Sequence, residues 1–68
     1  MKIDIDTKLL AYVPKRDRLH ISMLYREDNH ICIVMNWEDG FSRSRVADNI
    51  EEMKDFIKLL EYNRYADF

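Results

Sequence analysis

Ile31-Cys32-Ile33-Val34-Met35-Asn36-Trp37-Glu38-Asp39-Gly40-Phe41-Ser42-Arg43-Ser44-Arg45-Val46 is the stretch that decides the fold. At its centre, Asp39-Gly40 holds the chain's one glycine. Asp-Gly between apolar runs is a strong short-range hairpin signal. A type I′ turn needs φ > 0 at both central residues, which glycine takes freely and Asp tolerates. A two-residue loop pairs Glu38 with Phe41, Trp37 with Ser42 and Asn36 with Arg43. Ser42, Ser44 and Val46 then share the face of Trp37, Met35 and Ile33, while Phe41, Arg43 and Arg45 take the other. Trp37 is expected in the core.

The same alternation extends towards the N-terminus. Leu19, Ile21, Met23 and Tyr25 are spaced by two, as are Ile3, Ile5, Thr7, Leu9, Ala11 and Val13. Period two over such lengths predicts strands with one buried face. A three-residue loop Glu27-Asp28-Asn29, with Asn29 left-handed, pairs Tyr25 with Ile31 and Ile21 with Met35. A loop centred on Lys15-Arg16-Asp17, after the one proline Pro14, pairs Val13 with Leu19 and Ala11 with Ile21. All three turns agree on one inside face. They predict a four-stranded antiparallel β-meander with strands at about 2–13, 18–26, 30–38 and 41–47.

After Ala47 the period changes. Asp48-Asn49-Ile50-Glu51 has capping-box spacing with Asp48 as N-cap. Ile50, Met53, Ile57 and Leu60 form a helical stripe, and Glu51 and Glu52 suit the positive end of the helix dipole. A helix over about 49–63 is roughly 24 Å long, enough to cover one sheet face. The expected fold is a single α+β domain, residues 1–68, of order ββββα.

Bulk properties bound the function. Hydrophobic residues make up 47% and charged residues 35%, a globular balance. Net charge is −2, which disfavours both a polybasic nucleic-acid binder and an acidic DNA mimic. A domain this short buries only about 60% of its unfolded surface, so it needs a staple. Cys32 is the one cysteine and cannot form an internal disulfide, so oligomerisation is expected, and a homodimer first. No apolar run approaches a membrane span and no signal peptide opens the chain. It is expected to be complete, cytoplasmic and free of membrane contact.

Little chemistry is evident. His30 and Cys32 share a strand face but lack the further ligands of a zinc site. Asp4 and Asp6 share a face, with Arg26 near Asp6, and suit a solvated ion pair. Cys32 has no evident activating base, and one glycine cannot make a phosphate loop. The expectation is no enzyme, no cofactor and no metal.

The sheet face away from the helix is the unusual feature. The expected pairing gives it Leu10, Tyr12, Leu24, Cys32, Val34 and Phe41 beside Arg18, His20, Arg26, Arg43 and Arg45. Tyr12, Arg18, His20, Asn36, Phe41, Arg43 and Arg45 form the candidate binding set. Leu10, Leu24, Val34, Leu59, Tyr62 and Tyr65 are candidate oligomer or partner contacts. Apolar, aromatic and arginine side chains together are enriched at interfaces, although scattered apolar residues also occur on ordinary surfaces. On the helix, Phe56, Leu59, Tyr62, Tyr65 and Phe68 drift off the stripe, either folding back onto the core edge or meeting a partner.

The order of elements resembles that of some small anti-CRISPR proteins, and also that of the Whirly-like transcription cofactors, which act as dimers or higher oligomers. The first resemblance implies a virus-encoded anti-defence protein. The leading expectation is a non-enzymatic protein-binding module, a homodimer, acting as regulator or inhibitor by occupying a partner protein's surface. One alternative is a single-stranded nucleic acid binder, with Tyr12 and Phe41 stacking bases and Arg18, Arg43 and Arg45 holding phosphates. Another is capture of an anionic nucleotide by Arg43, Arg45 and His20.

Overall fold

The computed structural model describes residues 5–65, with side chains to residue 64. The elements are α1 (Thr7–Leu10), α2 (Lys15–Arg18), β1 (Ile21–Glu27), β2 (His30–Asn36), β3 (Ser42–Ala47) and α3 (Ile50–Tyr65). The three strands form one antiparallel sheet in the order β1-β2-β3. The fold is α+β with three strands rather than four.

The expected first strand is replaced by helical turns over the described residues; its start, residues 1–4, lies outside them. Asp6 caps α1, its carboxylate accepting the Lys8 N–H at 2.8 Å. The Leu10 N–H reaches the Asp6 carbonyl at 3.0 Å. Leu9 and Val13, four residues apart, are both buried. Their spacing fits one side of a helical turn as well as alternate strand positions, and the capped turn wins. Pro14, with φ −55°, starts α2, and the Asp17 N–H closes its turn on the Pro14 carbonyl at 2.9 Å. Leu19, expected inside, is 76% exposed. Among the described residues of this segment, only Ile5 forms a strand-like bridge to the sheet, a parallel one to Leu24.

The β1–β2 turn has two residues, not three. Asp28 (φ 50°) and Asn29 (φ 66°) both take left-handed backbone, the pattern of a type I′ turn. Glu27 therefore pairs with His30, Tyr25 with Cys32 and Leu24 with Ile33. The register shifts between Ile21 and Met23, so Ile21 still meets Met35 as expected. A one-residue bulge at Ser22 thus absorbs the change of parity. Leu24, expected on the open face, is buried in the core, and Met23 and Tyr25 turn outward.

The β2–β3 turn differs the other way. The Gly40 N–H donates to the Trp37 carbonyl (3.0 Å), and the Trp37 N–H to the Phe41 carbonyl (2.8 Å). Gly40 alone in this turn has positive φ, +92°. This is a type I turn closed by a glycine bulge, a three-residue loop. The Asp39 carboxylate also accepts the Phe41 N–H at 3.1 Å. The extra residue shifts β3 by one: Asn36 meets Ser42, Met35 meets Arg43, Ile33 meets Arg45 and Ile31 meets Ala47. Every side chain of β3 therefore lies on the face opposite to the expected one.

Ile31, Ile33 and Met35 of β2 face α3, which contributes the buried Met53, Ile57 and Leu60 of the expected stripe. Leu9, Val13, Ile21, Leu24 and Ala47 complete the core. Full burial of a side chain such as Ile33 contributes about 1.5–3 kcal/mol. The helix cap sits one residue later than expected. Asn49 accepts the Glu52 N–H (2.9 Å), and Glu52 reaches back to the Asp48 N–H (3.5 Å).

Nothing lies within 4 Å of where a Cβ on Gly40 would stand, so a substitution there meets only backbone strain. Gly40→Ala is expected to cost about 1 kcal/mol, lowering Tm by about 4–8 °C. Gly40→Asn should cost less, because Asn visits the left-handed region more readily. Thermal unfolding of both variants checks this order; equal losses would contradict it.

Candidate interaction site

The observed register sorts charge by face. On the face away from α3, Met23, Val34 and Ser44 form one row, and Tyr25, Cys32 and Val46 the next. Asn36 and Ser42 make a third row, Asn36 donating from its amide to the Ser22 hydroxyl. These central rows contain no charged residue. Val46 is 62% exposed, and Met23, Tyr25, Cys32 and Val34 are half-buried. A shallow depression of about 430 Å³ runs along Tyr25, Cys32, Val34, Ser44 and Val46.

The candidate binding set is dispersed. Asn36, Val34 and Cys32 lie on the open face as expected. Arg43 and Arg45 lie on the α3 side at the sheet's edge, where Arg45 approaches Glu52 at 3.7 Å. Arg18 braces the N-terminal segment by donating from Nε to the Val13 carbonyl (2.9 Å). Tyr12 lines a cleft with Pro14 and, from α3, Lys54, Lys58 and Glu61. Leu10 is half-buried against the core. Leu59 and Tyr62 project from α3, 62% and 59% exposed. The side chain of Tyr65 and the whole of Phe68 lie outside the described residues.

His20, Phe41 and Arg43 do come together, around two residues the sequence did not mark for this role. Trp37 is half-buried at the sheet's end rather than in the core. The His20 ring stacks on it at 4.7 Å, and Phe41 meets it edge-on at 5.3 Å. Arg64 of α3 lies over Phe41 (4.2 Å) and Trp37 (5.2 Å), and Arg43 lies 4.2 Å from the Phe41 centroid. Arg64 also pairs with Asp39 at 2.7 Å. That hydrogen bond, with the one from the Phe41 N–H, holds the Asp39 carboxyl below its ordinary range. The cluster clamps the β2–β3 turn to the end of α3.

No protein-family model, curated protein or solved structure matches this chain. Among the described residues no three His, Cys, Asp or Glu side chains gather as metal ligands would. His30 instead lies 3.3 Å from Asp48. No helix among the described residues is long and apolar enough to cross a membrane.

Next to the cluster sits Asp17, 1% exposed, with no hydrogen-bond donor among the described residues for either carboxylate oxygen. Burial pushes its pKa up to about 6, and the neighbouring Glu61 carboxylate pushes the same way. Arg16 and His20 pull against them. Arg16 is paired with Glu61, from Nε at 3.0 Å and from its terminal nitrogen at 2.9 Å. A proton on Asp17 gives it a hydrogen bond to offer Glu61, joining α2 to α3. In the sequence, Asp17 falls in the loop expected at Lys15-Arg16-Asp17, where nothing local signals burial.

Because the folded pKa lies above the unfolded one, Asp17 favours folding in acid. Its contribution is complete below about pH 4 and lost as pH rises through 6. We expect Asp17→Asn to be more stable than the parent at pH 7.5, by about 1–3 kcal/mol. The gap should close towards pH 4. Denaturant melts of both proteins at several pH values test this; a gap independent of pH would refute it.

Proposed function

We propose that this chain is a small protein-binding module that pairs with a second copy through its bare sheet face. The observation that carries this reading is the uncharged surface of Met23, Tyr25, Cys32, Val34, Ser44 and Val46, opposite α3. Two such faces meet without setting like charges together, and their burial offsets the small core of a 68-residue chain. The dimer leaves Leu59 and Tyr62 of each α3 pointing outward. Those two form the surface by which the module occupies a partner protein, as a regulator or inhibitor would.

The nucleic-acid and nucleotide readings lose their support in the register. They rested on Arg43 and Arg45 lying beside aromatic residues in the open face. Both arginines belong to the other side, and the central rows of the open face offer phosphates no charge-assisted contact.

Sedimentation at micromolar to hundred-micromolar concentrations tests the dimer. We expect twice the chain mass for the parent and a monomer for Val46→Glu and Val34→Lys, with unchanged circular dichroism. A parent protein that stays monomeric throughout would remove the proposal.

A further inference from the structure

Among the described residues β3 is the outer strand of the sheet, paired with β2 on one side only. Trp37 and Phe41 are bonded across the turn at 2.8 Å. Hydrogen-bonded and non-bonded pairs alternate along an antiparallel ladder. Arg43, Arg45 and Ala47 therefore bond to β2. The backbone N–H and C=O of Ser42, Ser44 and Val46 point out from the free edge. Such a row is a template for another strand.

The edge's side chains choose among occupants. A second β3 pairing antiparallel about Ser44 sets each Arg43 against an Arg45. Pairing about Arg45 sets that residue against its own copy. Like charges directly opposite are unfavourable, so both of these registers disfavour a second copy. Arg43 donates to its neighbour's carbonyl, that of Ser42 (2.7 Å), and rests against Phe41. Among the described residues no carboxylate pairs with it. Arg45 differs, because Glu52 already approaches it and Asp55 lies close by. Beside Arg45, Phe56 and the exposed Leu59 line a groove of about 240 Å³ between the sheet edge and α3.

We propose that the free edge of β3 receives an extended segment of another protein as a fourth strand. The segment places an acidic residue opposite Arg43 and a bulky apolar residue two positions along, over the Phe56–Leu59 groove. The residue between them points to the open face beside Ser44. Backbone bonds to Ser42, Ser44 and Val46 supply affinity, and the acidic and apolar side chains supply selectivity. This edge adjoins the dimer face at Ser44 and Val46, but it binds through their outward backbone groups rather than through their side chains.

A labelled, blocked heptapeptide with Glu and Phe two residues apart in a Thr/Val background is the probe, read by fluorescence anisotropy. The Glu/Phe peptide should bind the parent about tenfold or more tightly than its Lys/Phe counterpart, since the charged contact is worth that much. On Arg43→Glu the preference should invert. Ser44→Pro deletes an outward N–H and no ladder bond, so it should keep the circular dichroism spectrum and lose binding about tenfold or more. Equal binding of the two peptides, unchanged binding by Ser44→Pro, or no binding of either peptide overturns the proposal. So does a dimer that Ser44→Pro dissolves and Val46→Glu does not, which would give the edge to a second copy. Failure of the dimer face alone would show in sedimentation and leave the peptide result standing.

Discussion

Side chains alternate along a strand, so the Trp37 N–H bond to the Phe41 carbonyl commits every residue of β3 to a face. That bond exists because the turn holds three residues, and the third, Gly40, has φ +92°. The outcome is that Ala47 is buried beneath α3, while Arg43 and Arg45 share its face. Arginine on the core side of a sheet is tolerable at an outer strand. Long aliphatic stems reach past the apolar layer and leave the guanidinium in water, and both residues are exposed. Val46, the most apolar residue of β3, is left outside.

The far end of the molecule is held by polar and aromatic contacts rather than by more core. Arg64 ties α3 to Asp39 across 25 residues of sequence, and Arg16 ties Glu61 to α2 across 45. Arg64 also sits in the last turn of α3, where the helix dipole favours a cation. Exposed ion pairs are weak singly. Here one guanidinium is shared between a carboxylate and two aromatic rings, so the contacts reinforce each other. The buried Asp17 works against them at neutral pH, because burial and Glu61 both disfavour its charge. The docking of α2 on α3 therefore weakens as pH rises through the titration of Asp17.

Local pattern made β2, its hairpins and the α3 stripe legible. Ile31, Ile33 and Met35 fall inside, and Met53, Ile57 and Leu60 meet them, as the periodicities require. The register failures share one cause: period two is blind to a one-residue change in a turn. Asp39-Gly40 carries the sequence of a type I′ turn but forms a glycine bulge, while Asp28-Asn29 forms the type I′ turn. Each choice moves a strand by one residue. In β1 a bulge at Ser22 restores parity at Ile21, so the error is local to Met23, Leu24 and Tyr25. In β3 nothing restores it, so Arg43, Arg45 and Val46 all change sides. Residues 7–13 failed for another reason, since positions 9 and 13 satisfy both periods and only the Asp6 cap distinguishes them. The open face was legible where β2 supplied it, at Cys32, Val34 and Asn36, and illegible where its neighbours did. The clamp of Trp37 and Arg64 spans 27 positions, beyond the reach of any local pattern.

The same shift that takes Arg43 and Arg45 off the open face sets them on the other side of the edge strand. With the two-residue turn, Arg43 and Arg45 would stand in the middle of the open face, hindering self-association there, and β3 would offer Ser42, Ser44 and Val46 on its core side. With the observed turn, a face whose central rows carry no charge and an edge strand bearing two arginines on its other side arise together. A small domain with both a bare face and an unguarded edge would tend to grow into fibres. Placing cations at alternate positions of the edge strand blocks that growth while leaving three backbone positions open to a segment of complementary charge. Turn geometry thus determines which side chains of so short a chain stand on its open face and which stand beside α3.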